Sequence, residues 1–259
     1  MDPWEIPIAA WHRPIGDYPA GATGTTPQMD ESGPAQCRTK RGVPLGGIGT
    51  GSFMLNLAGS FGPWEFSYGD DSPGARWGSE LASGHEERFL REAAFHVYRR
   101  RASSTTPAVR TLATEDLLAT WPVLGKGQGT YHALFPKGWF VYEGLEIPVI
   151  MKYFSPFIAR DYRSSSLPVA TFQFLASNTT GETIDVAFMF TFPNAKYREK
   201  TPGYEYTRTG LRSVFECTSD VTGMRLQADD PANVDVTQRT KWVIAAKQEP
   251  EGAVVSCAD

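Results

Sequence analysis

The sequence predicts an all-β protein: a large antiparallel two-sheet β-sandwich with few short helices. Three observations carry that prediction. Short runs rich in β-branched and aromatic residues recur along the 259 residues, bounded by glycine, proline or asparagine. Two neighbouring runs alternate with period two, Ala170, Phe172, Phe174 and Ala176 sharing one face and Ile184, Val186, Phe188, Phe190 and Phe192 another. Helical periodicity is scarce, with room for a couple of turns over residues 86–94 and one more over 114–120.

Taken in order, residues 1–40 read as an entry segment. Trp11-His12-Arg13-Pro14-Ile15-Gly16 suits packing down on the domain, and residues 20–36, rich in Gly, Thr, Pro and Ala, read as an irregular loop. Residues 41–259 then read as one β-sandwich domain. Strands are expected over residues 61–68, 94–100, 138–142 and 146–154. The alternating pair at 169–176 and 184–192 is separated by Asn178-Thr179-Thr180-Gly181, which predicts a hairpin with an aromatic inner face. Further short strands are expected at 213–217, 224–228, 234–237 and 241–247. The end, Ala253-Val254-Val255-Ser256-Cys257-Ala258-Asp259, reads as a strand without a closing turn, so a domain truncated at its C-terminal end is expected.

Composition narrows the function classes. A formal charge of -4 and a pI near 5.7 argue against nucleic acid or an anionic membrane as the main partner. No apolar run reaches the ~18 residues of a membrane span, and Met1-Asp2-Pro3-Trp4-Glu5 has no signal-peptide pattern. Cys37, Cys217 and Cys257 are odd in number and widely spaced, which indicates neither a disulfide framework nor a zinc site. Reduced thiols in a cytoplasmic protein are the expectation.

The densest local signal is Arg41-Gly42-Val43-Pro44-Leu45-Gly46-Gly47-Ile48-Gly49-Thr50-Gly51-Ser52-Phe53. Glycine at that density implies positive φ or a backbone approach that a Cβ would block. Gly47-Ile48-Gly49, with Asp70 and Asp71 downstream, invites a dinucleotide-loop reading. That reading requires a strand before the loop and a helix N-terminus after it. Here Ser52-Phe53-Met54-Leu55-Asn56-Leu57-Ala58-Gly59 follows, which is too short for a helix and ends in glycine.

The same stretch, followed by Gly62-Pro63-Trp64-Glu65, resembles the start of the N-terminal domain of glycoside hydrolase family 116. That family includes β-glucosidases and the non-lysosomal glucosylceramidase. Tyr131-His132-Ala133-Leu134-Phe135-Pro136-Lys137-Gly138-Trp139 is similar to a second motif of the family. Asp161-Tyr162 with Ser165-Ser166-Leu167-Pro168-Val169 resembles a third, and the three occur in the family's order. The resemblance implies a retaining β-glucosidase whose nucleophilic Glu and acid/base Asp lie in a following (α/α)6 catalytic domain. This chain would then be the scaffold packed against that domain.

Candidate chemistry within the chain is sparse. Retaining hydrolysis needs two carboxylates about 5–5.5 Å apart, and Glu65, Asp70, Asp71, Glu143 and Asp161 are the candidates in aromatic or loop settings. Each reads better as a surface or turn carboxylate, Asp161 as an Asx-type cap or an ion pair with its flanking arginines. His12, His85, His96 and His132 show no ligand spacing, and His96 and His132 read as structural strand residues. No Gly-x-Ser-x-Gly occurs, and Ser164-Ser165-Ser166 reads as a polar run before a strand. Among seven tryptophans, Trp77 is the candidate for exposure. Arg99, Arg100 and Arg101 read as a solvated strand end, with Arg100 on the opposite face from the other two. No catalytic residue, metal or cofactor is therefore assigned to the chain. The expected partners are a helical catalytic domain and, through it, a β-glucoside; the alternative is a stand-alone carbohydrate-binding or interaction module.

Overall fold

A computed structural model describes residues 2, 4–17, 42–65, 76–77, 93–115, 121–192, 196–199, 204–207, 211–218, 220–228 and 242–247. Strands dominate, as the period-two patterning requires, and the chain divides into two compact units, Met1–Phe192 and Pro193–Asp259.

In the first unit a five-stranded sheet orders β1 (Trp11–Pro14), β8 (Gly129–Leu134), β9 (Lys137–Tyr142), β10 (Val149–Phe154) and β11 (Thr171–Ala176). Every neighbouring pair is antiparallel. A three-stranded sheet orders β12 (Ile184–Thr191), β6 (Ala94–Arg101) and β7 (Ala108–Thr111). A four-stranded sheet runs β2 (Pro44–Leu45), β3 (Ser52–Leu55), β4 (Phe61–Glu65), β5 (Arg76–Trp77). The second unit holds a hairpin of β13 (Lys196–Glu199) and β14 (Tyr204–Thr207). It also holds a meander of β15 (Leu211–Cys217), β16 (Val221–Ala228) and β17 (Trp242–Lys247).

Register explains the core of the first unit. Tyr131, Phe140, Met151 and Phe174 line up across four strands of the five-stranded sheet, as do Gly138, Tyr153 and Phe172. Facing them are Phe95 and Phe190, which pair across β6 and β12, and Phe61 of β4. Ring centroids of Phe95 lie 4.9 Å from Phe172, 5.1 Å from Phe174 and 4.6 Å from Phe190. Phe61 contacts Phe172 at 5.8 Å and Phe190 at 5.3 Å. Three sheets therefore share one aromatic layer, in which each pair adds about 0.5–1.5 kcal/mol beyond area burial.

The expected hairpin is corrected. Residues 169–176 and 184–192 have the predicted alternation, and Asn178 makes the predicted turn: its Oδ1 accepts from Thr180 N at 3.0 Å and its Nδ2 donates to Glu182 O at 2.7 Å. The two strands do not form a hairpin. β11 pairs with β10 and β12 with β6, so the turn carries the chain from one sheet to the other. Phe174 and Phe188 then stack at 4.4 Å across the sandwich. Two aromatic faces bury more when they face each other than when they lie side by side on one sheet.

The expected helix over 114–120 lies partly outside the described residues, and Thr114 and Glu115 form a bend. Of the expected helix over 86–94, only Ala93 and Ala94 are described, and Ala94 opens β6. The strand expected at 234–237 and the last residues are also outside the description. A helix the alternation did not predict, α1 (Tyr162–Ser165), takes the serine run instead.

Arg100 indeed faces away from Arg99 and Arg101, pairing with Asp185 at 2.7 Å. Arg99 is not solvated. It is 6% exposed, donates to Leu145 O and lies 3.8 Å from Glu146 Oε2, while Arg101 donates to Glu146 Oε1. Glu146 was expected within a strand; its φ of 68° places it in a left-handed turn before β10, where its carboxylate meets both cations.

Candidate docking face

Three sequence motifs far apart in the chain meet at one end of the first unit. β2 and β3 form a hairpin, Pro44 opposite Met54 and Leu45 opposite Phe53, whose loop is Gly46–Gly51. At its base, Val43 N donates to Tyr131 Oη at 3.0 Å and lies 3.3 Å from Tyr153 Oη. The two phenols hydrogen-bond at 2.9 Å, and burial raises the pKa of both. Gly42 is required here because a Cβ would lie 1.8 Å from Leu55 O. Gly138, opposite Tyr153 in register, leaves room for that ring, which a Cβ would approach to 2.4 Å.

The tip of the loop is fixed to the third motif. Gly46 N donates to Ser155 Oγ at 2.7 Å and Ile48 N to Ser165 O at 2.8 Å. A Cβ on Gly47 would meet the Ser166 carbonyl carbon at 2.5 Å. Ser165, buried, bridges back to Ile158, its Oγ accepting from Ile158 N at 2.9 Å and donating to Ile158 O at 3.2 Å. Asp161 caps α1, its Oδ1 accepting from Ser164 N at 3.0 Å; hydrogen bonding from the Ser164 side chain first, and then from its backbone N–H, lowers the Asp161 pKa. The capping role expected for Asp161 is the one the structure gives it.

Above this hydrogen-bonded base the side chains are apolar and uncovered. Ile48, Phe135, Phe157, Ile158, Tyr162 and Leu167 are all exposed, Tyr162 at 76%. Phe135, in the turn between β8 and β9, meets Phe157 edge-on at 5.1 Å. Lys137, Arg160 and Arg163 are exposed in the same segments. Single exposed apolar residues need no explanation, but six on hydrogen-bonded segments that converge make this face a candidate interaction surface. Sequence reasoning flagged the motifs but not this face. Phe157-Ile158 between Pro156 and Arg160-Asp161 was the available signal: bulky apolar residues in a turn-forming segment.

Of the carboxylate candidates whose side chains are described, Glu143 and Asp161 are not brought together. Glu143 is exposed just past β9, at the far end of that strand from Phe135, a length of about 17 Å. Asp161 belongs to the other end, far outside the spacing for retaining hydrolysis. Asp70 and Asp71 lie outside the described residues, and Glu65 is placed on β4 without a described side chain. The glycine loop leads into strand β3 rather than a helix, which removes the dinucleotide reading.

His96 is fully buried, its Nδ1 and Nε2 each 3.0 Å from a threonine hydroxyl, Thr111 and Thr191. That is the structural strand histidine expected. His12 and His132 are cross-strand partners, and His85 lies outside the description, as do Cys37 and Cys257. Cys217 is a free, exposed thiol. Trp77 lies on β5 without a described side chain, while Trp11 is 53% exposed and Trp139 is buried. Among the described residues no group of three or more His, Cys, Asp or Glu is placed to hold a metal, and no helix is long and apolar enough to cross a membrane.

A family model described as beta-glucosidase 2, glycosyl-hydrolase family 116 N-term, matches residues 42–259. The chain belongs to glycoside hydrolase family 116, as its N-terminal domain. The match begins at the glycine whose absent side chain lets Val43 reach the two phenols. All three converging segments of the family 116 domain fall inside it. Membership of an N-terminal family implies a catalytic domain as partner in the parent protein.

Proposed function

We propose that this family 116 domain is the non-catalytic scaffold of a retaining β-glucosidase or glucosylceramidase-type enzyme, with residues 41–259 as the domain and 1–40 as its entry segment. It seats the helical (α/α)6 catalytic domain on the apolar face around α1, walls one side of the active-site region, and supplies neither catalytic carboxylate. The observation that carries this reading is the convergence of the three motifs beneath Ile48, Phe135, Phe157, Ile158, Tyr162 and Leu167. Hydrogen bonds donated by Val43, Gly46 and Ile48 N–H to Tyr131, Ser155 and Ser165 hold that surface in place, as a seat for a large apolar partner requires. Three cysteines without disulfide spacing fit a reducing, cytoplasmic setting.

The test uses the 259-residue chain. An apolar-surface dye should fluoresce strongly with it and weakly with the Phe157→Ser, Ile158→Ser double variant, aryl β-glucosides should remain intact, and β-glucan affinity gels should not retard it. Reading the source gene past the codon for Asp259 should reveal a long helical-period segment with a paired Glu and Asp. Retardation on β-glucan, abolished by Trp11→Ala, would replace this reading with that of a carbohydrate-binding module.

A further inference from the structure

We infer that His12 and His132 form a two-imidazole site for a late first-row divalent cation, Zn2+ or Ni2+, on the outer face of the five-stranded sheet. The two residues are direct antiparallel partners across β1 and β8. Their neighbours Arg13 and Tyr131 hold the opposite parity, and the Tyr131 ring lies in the core against Phe140 at 4.8 Å. Both imidazoles therefore project from the other side. Their ring centroids are 5.7 Å apart with planes 32° from parallel. Two imidazoles on one tetrahedral ion, with metal–nitrogen bonds of about 2.0–2.1 Å, place their centroids about 5 Å apart, so small side-chain rotations close the chelate.

The ligands are available. Among the described residues no hydrogen bond engages either ring, His12 is exposed and His132 half-buried. Imidazole suits Zn2+, Ni2+ and Cu2+ over the hard alkaline-earth ions. With two protein ligands, the other coordination positions go to water or an incoming donor. The same row across the sheet continues through Trp139 to Lys152. That cation stands two strands from His132, about 10 Å away, and its Nζ packs over the Trp4 ring at 4.9 Å. Because β1 is the edge strand and spans four residues, an ion bound across the pair staples the entry segment to the sheet.

The 259-residue chain is titrated calorimetrically with zinc chloride and with nickel chloride, above the histidine range. Binding of one ion per chain is expected, weakened about tenfold or more in His12→Gln and in His132→Gln. In the unaltered chain, imidazole 15N signals of His12 and His132 should move together on adding Zn2+, and amide exchange at Trp11, His12 and Arg13 should slow. Affinity in both variants equal to that of the unaltered chain, or signals of His12 and His132 that stay fixed during the titration, would overturn the assignment.

Discussion

His96 shows what one buried residue contributes. Between Thr111 and Thr191 and edge-on to Trp121 at 4.7 Å, it is neutral, and burial lowers its pKa from 6.5 to about 4. The unfolded chain binds this proton more tightly than the folded one, so stability is complete above about pH 6.5 and is lost as pH falls toward about 4. The loss amounts to about 3 kcal/mol. Urea unfolding at about pH 7 and about pH 4.5 should show that acid sensitivity, and His96→Gln should flatten it. Two glycines make a second contrast. Gly49 has φ +77° and open space around its missing Cβ, so Gly49→Ala should cost about 1 kcal/mol from backbone strain alone. Gly47 has no positive φ but would drive a Cβ into the backbone of Ser166, so Gly47→Ala should cost more, up to about 3 kcal/mol, and detach the loop from α1.

At the scale of elements, the contact between the glycine hairpin and the five-stranded sheet depends on two hydroxyls. Tyr153→Phe removes the partner that Tyr131 Oη and Val43 N share and the one that reaches Leu55 O at 3.4 Å. A loss of about 1–2 kcal/mol is expected by chemical denaturation, with faster amide exchange at Val43. Asp161→Ala removes the cap of α1; the sensitive readout is amide exchange at Ser164, whose N–H the carboxylate accepts. In the aromatic layer, Phe95→Ala should cost about 3–5 kcal/mol, because Phe95 touches rings from all three sheets of the first unit.

For the whole molecule, charge and exposed apolar area act together. The formal charge is only -4, and at the pI near 5.7 no net repulsion opposes association through the face around α1. Light scattering of the chain should rise as pH approaches that value, and Phe157→Ser with Ile158→Ser should reduce it. If scattering is the same in the double variant, association uses another surface.

Much of this protein was legible in the residues because it is local. Period-two alternation at 184–191, the Asn178 turn, the Asp161 cap and the opposed faces of Arg99 and Arg100 each involve neighbours in the chain, and each appears in the fold. The glycine density of 42–51 likewise announced close backbone approach, though not to what. Which strands pair is not local: β11 and β12 have turn chemistry between them that serves a hairpin or a crossover equally, and burial of both aromatic faces decided for the crossover. The same holds for Arg99, which was drawn inside by Leu145 O and Glu146, and for the pairing of His12 with His132. The docking face arises the same way, since Ile48, Phe135 and Phe157 become neighbours only when Val43 meets Tyr131 and Ile48 meets Ser165. Alternation assigns a residue to a face of its strand; only packing against distant strands assigns that face to core, solvent or partner.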